Sequence, residues 1–394
     1  RGSMAGFPTS SSATAKLVVI VRQAPTGGNV ILDWSRCGAP PFVAYQDGSG
    51  AWTSATVAGN VARFTISSPN GGFAYADNEG VTVRYMTQSE LTASPIDLCG
   101  LRAGTNTVTG TAQHTTSSEL FTYDLGGGVG TSTTNAPSIT INGVRDGVHD
   151  LVAFGSQLAT GRAYIARDID VPRTMSLGVV ELAGPNGFGV SRAGVNVIGP
   201  VSGDALVQSM SYLTTAACTV NPLYSNPFFG ALSSQTLGFP ESVQRPTDFH
   251  LMTVTANRPG EVRTTTLTFH TFGNVTLTLP ALLTVPAIDV LPGPYLRERA
   301  TFSAIPANYN SSVALRYTDG RHVMQVAASI AYAGTSNPVL AMPDLSSVAG
   351  WQNSYAYAAG AAGTWFASAD GSNGGAPCTE GRTTYNATVS GTLP

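Results

Sequence analysis

The chain has 394 residues, room for two to four domains at roughly 150 residues each. Charged residues make up 11 %, against the ~25 % of an ordinary soluble protein, while 42 % are hydrophobic, which excludes a disordered polymer. A net charge of −3 without any basic run argues against a nucleic-acid partner, and no apolar run approaches the ~18 residues of a membrane helix.

The start, Arg1-Gly2-Ser3-Met4, reads as a protease-site scar, and the small, uncharged residues that follow read as a Ser/Thr tether over 1–13. A tether placed after a removed signal peptide fits a secreted or envelope-anchored protein, lipid anchors included. Lys16 is the only lysine among 20 basic residues, so Ser, Thr, Asn and Gly must cover the surface.

Strand signals dominate from there. The short β-branched runs are Leu17–Val21, Val30–Trp34, Phe42–Tyr45, Val61–Ile66, Gly72–Ala76 and Val81–Tyr85. Asp47-Gly48, between apolar runs, marks a hairpin. These runs predict a first β-sandwich over 14–100. A second unit is expected over 103–183. It opens with Asn106–Ala112 and continues through Ser138–Ala153, where an alternating strand meets Asp146-Gly147 before an apolar strand. Its V-x-G-T opening and G-V-x-D-G-x-x-x-L-V-A hairpin resemble the transthyretin-like, carboxypeptidase-regulatory module, which implies a spacer or binding appendage. The remainder, 185–394, offers ten strand candidates, enough for one large antiparallel sandwich or barrel, with Pro280–Pro294 as a candidate internal linker. No convincing helix is present beyond a short turn at Ser346–Gly350. The fold class is therefore all-β, as serial antiparallel sandwiches. The phrases Ala44–Trp52, Gly143–Ala153 and Met342–Ser346 resemble a group of uncharacterised secreted bacterial multi-domain proteins.

The cysteines are Cys37, Cys99, Cys218 and Cys378, with no C-x-x-C pair to suggest zinc or thioredoxin chemistry. An even count at wide spacing implies two disulfides in an oxidising compartment. The preferred pairing is Cys37–Cys99 with Cys218–Cys378, which keeps the first bridge within one unit.

Catalytic motifs are missing: there is no G-x-S-x-G, no H-E-x-x-H and no phosphate loop. His250, His270 and His322 would form a metal site only if three adjacent strands carried them on one face. Asp168-Ile169-Asp170 places two acids on one strand face, and Asp77–Gly80 and Asp370–Gly374 are oxygen-rich turns that can hold Ca2+, though neither has the EF-hand pattern. The favoured candidates are aromatic. Trp351, Tyr355, Tyr357 and Trp365 crowd a Gly/Ala-rich segment, where they form either an exposed platform for sugar rings or part of a core. Trp34 and Trp52 are expected in the core. Two readings follow. One is an extracellular or cell-envelope binding and structural protein for polysaccharide or another surface protein. The other is a secreted polysaccharide hydrolase or lyase, which a cleft holding two carboxylates would favour.

Overall fold

The computed structural model describes residues 27–99, 104–114, 120–155, 161–171, 175–214, 220–228, 233–358, 360, 362–376 and 378–393. Leu17–Val21 and the tether lie outside them. Among the described residues 57 % are strand and 5 % helix, so the all-β expectation holds. The strands form sheets of four, eight, three, twelve and three members.

The twelve-stranded sheet organises the molecule. Its order is Val220–Phe228, Ala205–Leu213, Phe249–Arg258, Glu261–Phe269, Thr383–Thr392, Thr364–Ser372, Ser312–Thr318, Val323–Ser329, Gly80–Thr87, Asn70–Asp77, Phe42–Asp47 and Thr53–Ser54. The last four come from the expected first unit. Their junction with the C-terminal strands is parallel, pairing Gly80 with Val323 and Tyr85 with Ala328. The boundary expected near residue 100 therefore does not end the sheet, because backbone pairing crosses it. Gly80 makes the seam possible: at φ +145° it lies so close that a Cβ would sit 1.9 Å from the Val323 carbonyl oxygen.

One face of this sheet is covered. Alternate residues such as Val313, Leu315, Val326, Val83, Ala367 and Val389 point into a core shared with the three-stranded sheet Ala287–Leu291, Arg297–Thr301 and Val339–Ala341. Ala287–Leu291 lies inside the segment expected as a linker. Farther along the same face, Met210, Met252 and Val254 pack on Val195, Leu237 and Leu277 of the sheet Ser191–Ile198, Ser233–Gly238 and Val275–Thr278. Among the described residues, the Phe42 end is covered on both faces. There Val43, Phe73 and Trp34 meet Val30, Phe64 and Leu91 beneath the four-stranded sheet.

The eight-stranded sheet, from Asn106–Gln113 to Gly187–Gly189, coils so that its alternate residues meet in one interior of Val108, Tyr123, Ile141 and Leu151. The Ser138–Val144 and Gly147–Gly155 strands are not paired with each other. The former pairs with Asn106–Gln113 and the latter with Leu120–Leu125 and Arg162–Val171. The chain thus crosses over at Asp146-Gly147, where a hairpin was expected.

Cys37 and Cys99 are bridged, with Cα atoms 5.4 Å apart. Cys378 is disulfide-bonded; its expected partner, Cys218, lies outside the described residues. The Gln88–Thr92 helix starts with a capping box: Thr87 caps Glu90, and the Glu90 carboxylate accepts the Thr87 N–H at 2.9 Å.

Candidate functional site

The aromatic segment is mostly core. Tyr355, Tyr357 and Trp365 are 3, 1 and 7 % exposed, so they offer no platform. Trp365 donates to the Thr392 carbonyl at 3.1 Å, and Tyr357 donates to the Tyr317 carbonyl at 3.0 Å while accepting the Asp319 N–H. Trp351 is half-buried; its ring lies against Phe42 at 5.3 Å and Tyr295 at 4.9 Å. All four rings belong to or pack against the core of the twelve-stranded sheet. Trp34 is core, packed edge-on against Tyr75, and Trp52 is half-buried.

Among the described residues, two other places on the surface have site geometry. The first is an aromatic cleft of about 480 Å³ at the rim of the core. Tyr85 and Tyr332 stack there with centroids 5.4 Å apart, and Trp52 meets Tyr85 edge-on at 6.0 Å. Gln46, Ser68 and Asn70 bring amide and hydroxyl groups to the same cleft. The Asp47-Gly48 hairpin shapes its wall. Asp47 accepts the N–H groups of Ser67 and Ser68, and these hydrogen bonds outweigh partial burial to hold its carboxyl down at about 2. Burial beside Tyr332 pushes the Tyr85 phenol up, so it remains a neutral donor.

The second is a polar trough on the opposite face of the twelve-stranded sheet. Two clefts of about 420 and 300 Å³ share Ser311 and Asp370 and so run together. Register gives the sheet face that carries the trough a regular pattern, which continues beyond the two clefts. Ser329, Ser312, Asp370, Asn386, Thr264 and Thr255 are successive partners on six adjacent strands. A parallel row holds Ser372, Thr384, Thr266, Thr253 and Ser209. Asp370 accepts from Ser312 at 3.2 Å and from the Asn386 amide at 2.8 Å. Thr253 and Thr266 share a hydrogen bond of 2.9 Å, and Thr255 and Thr264 one of 3.2 Å.

The trough holds two carboxylates, Glu90 and Asp370. Both are engaged as acceptors. Partial burial opposes ionisation of Glu90, but hydrogen bonds from Ser329 and Thr87 hold its carboxyl below the usual range. A general acid needs the reverse shift. The carboxyls that burial does push up, Asp124 and Glu298, both to about 7, are 4 and 0 % exposed, inside cores away from either cleft.

The remaining candidates resolve as structure. His250 is buried, accepts the Phe239 N–H on Nε2, and is held down at about 4 by burial. His270 hydrogen-bonds the Asp248 carbonyl, whereas His322 bonds Asp319 at a distant turn, so the three histidines do not converge. Among the described residues no group of three His, Cys, Asp or Glu is placed to hold a metal ion. Asp77 closes a turn onto the Glu79 N–H. Asp168 sits at φ +58° where the strand pairing shifts register, and it pairs outward with Arg245 at 2.5 Å. Arg167 turns inward instead and binds Asp150 at 2.9 Å and Asp248 at 2.6 Å. Tyr212 also donates to Asp248, which ties the eight-stranded sheet to the long one.

No family model and no curated protein matches the chain. Among solved structures, the crystal structure of the chicken CNTN1 FN1-FN3 domains is similar at 9 % identity and a TM-score of 0.18, covering 68 % of this chain and 93 % of that one. So loose an overlap carries no argument about fold or function. The all-β assignment rests on the strands themselves.

Proposed function

We propose that the chain is an extracellular or cell-envelope binding protein for polysaccharide, with the aromatic cleft as its sugar-stacking site. One observation carries this reading: the Tyr85–Tyr332 ring pair opens onto a cleft that also presents Gln46, Ser68 and Asn70. Rings take the apolar face of a sugar while amides and hydroxyls take its edge, the mixture expected of a polar-ligand pocket. Disulfide bonding at Cys37, Cys99 and Cys378 supports an oxidising compartment. The coiled eight-stranded unit serves as a spacer.

The test is a glycan array followed by titration calorimetry with the best binder. Tyr332→Ala should weaken binding at least about tenfold while the melting temperature stays near wild type. An array without a hit, or a Tyr332→Ala protein that binds normally, refutes the reading. The hydrolase or lyase alternative draws on Glu90 and Asp370 sharing one cleft. It requires reducing-end or unsaturated products from a bound glycan, lost in Asp370→Asn.

A further inference from the structure

We infer that the polar trough is a second binding site, and that it takes an internal stretch of a linear, uncharged polysaccharide laid across the strands.

The argument begins with register. Hydrogen-bonding side chains from Ser329 to Thr255 recur once per strand across six strands. At ~4.8 Å between strands this row extends for roughly 24 Å, several sugar units long and too long for a single one. The second row, Ser372 to Ser209, runs beside it, one pleat repeat away. A chain lying along the rows meets the same kind of group at every strand, which suits a repeating ligand.

The chemistry selects the class. Around the Asp370 carboxylate, which only accepts, the row is hydroxyl and amide, groups whose remaining lone pairs and amide hydrogens can meet the hydroxyls of a ligand. Charges lining the trough balance: Arg84 and Arg382 against Glu90 and Asp370. Such a surface has no net field to gather a polyanion or polycation. Met86, Ala314, Ala327 and Tyr385 lie beside the ladder, but an apolar molecule seated there would strip water from the ladder's polar groups without replacing it. A neutral polyhydroxyl chain replaces those waters group for group.

Pre-organisation favours binding further. Ser312 and Asn386 are fixed by Asp370, and the threonines by each other across the strands. Little side-chain freedom remains to be lost when a ligand arrives. Tyr85 borders both clefts, but Tyr332 lines the aromatic cleft and not the trough, so the Tyr332 variant separates this inference from that site.

The experiment is calorimetry on the full chain with cello-, xylo- and manno-oligosaccharides from disaccharide to hexasaccharide, with polygalacturonate as the charged comparator. The expected result is a neutral series whose affinity climbs about tenfold or more with length and does not respond to salt. Asn386→Ala, which removes the middle of the ladder, and Ser368→Tyr, which fills the trough, should each weaken the hexasaccharide about tenfold. Thr264→Val keeps the side-chain shape and removes one hydroxyl, so it reads the ladder even if the other variants fold poorly. Tyr332→Ala should leave this length-dependent binding in place. Four results overturn the inference: no neutral oligomer binds; disaccharide and hexasaccharide bind alike; only polygalacturonate binds, and salt abolishes it; or folded trough variants bind as wild type. Loss through Tyr332→Ala alone, with trough variants unaffected, overturns the inference and leaves the aromatic-cleft reading standing.

Discussion

Glu298 gives a direct test of how the core is built. It is fully buried on the strand Arg297–Thr301, and neither carboxyl oxygen has a hydrogen-bond partner. Burial pushes its pKa up from 4.5 to about 7. Between those values the folded state binds more protons than the unfolded chain, so stability is full below the lower value and falls as pH rises through the upper. The gap corresponds to about 3 kcal/mol, of which between about 2 and 3 kcal/mol falls between roughly pH 5 and pH 8. Two other groups act over the same range. Asp124, pushed up to about 7 by burial, adds a slope of the same sign. His250, pushed down to about 4, adds the opposite one: its contribution is lost as pH falls from 6.5. A wild-type profile alone therefore mixes three terms, and the decisive comparison is with Glu298→Gln. The amide keeps the shape and cannot ionise. Its own unsatisfied group costs about 1–3 kcal/mol, but equally at every pH. Urea unfolding of both proteins near pH 5 and pH 8 should show wild type losing about 2–3 kcal/mol more than the variant. Identical pH slopes would refute the reasoning, because they would mean that the Glu298 carboxyl reaches water or a partner in the folded protein.

Four further outcomes are expected. Arg167→Met leaves Asp150 and Asp248 buried without their cation and should cost about 3–5 kcal/mol in chemical denaturation, whereas Arg245→Met, at the exposed pair with Asp168, should cost under about 1 kcal/mol. Gly80→Ala should cost at least about 2 kcal/mol by the same measurement, through positive φ and the clash with Val323. Cys37→Ser paired with Cys99→Ser opens a loop spanning 62 residues and should remove about 4 kcal/mol by loop-closure entropy, read as a lowered urea midpoint. Trp351→Ala should cost about 2 kcal/mol, less than a fully buried tryptophan, since the residue is only partly buried; an unchanged melt would show that its contacts with Phe42 and Tyr295 contribute nothing.

Strand positions were legible because a half-buried strand alternates apolar and polar residues over a short window. Two of the ten strand candidates expected over 185–394, Leu251–Ala256 and Val313–Thr318, each sit inside an observed strand, Phe249–Arg258 and Ser312–Thr318. Where prolines crowded a strand the signal failed, as at Ala287–Leu291. The Gln88–Thr92 helix had a readable start in Thr87-Gln88-Ser89-Glu90, but five residues give no helical period to confirm it. Pairing was beyond reach. Gly80 and Val323 are neighbours in the sheet and far apart in the chain, and nothing local to either announces the other. The same limit applied to Asp146-Gly147, whose composition suits a hairpin while the partners of both flanking strands lie elsewhere.

The candidate sites were hidden for a related reason. Tyr85 and Tyr332 each read as an ordinary aromatic in a strand run, and only the parallel seam stacks them. The ladder is drawn from Ser312, Asp370, Asn386, Thr264 and Thr255, which the sequence scatters over more than a hundred residues. Its one local trace is alternation itself: Thr264 and Thr266 face the trough while Arg263 and Thr265 turn into the protein, where Thr265 donates to the Thr278 carbonyl. Period two tells that a strand has two different faces, not which face meets a second sheet. Here that choice is made by the small sheets carrying Ala300, Leu340, Val195 and Leu277, all of which settle on the apolar side. Covering one face of a long sheet this way leaves its polar face in register from strand to strand. A binding surface on such a protein therefore follows from the layering of its sheets rather than from any motif in its chain.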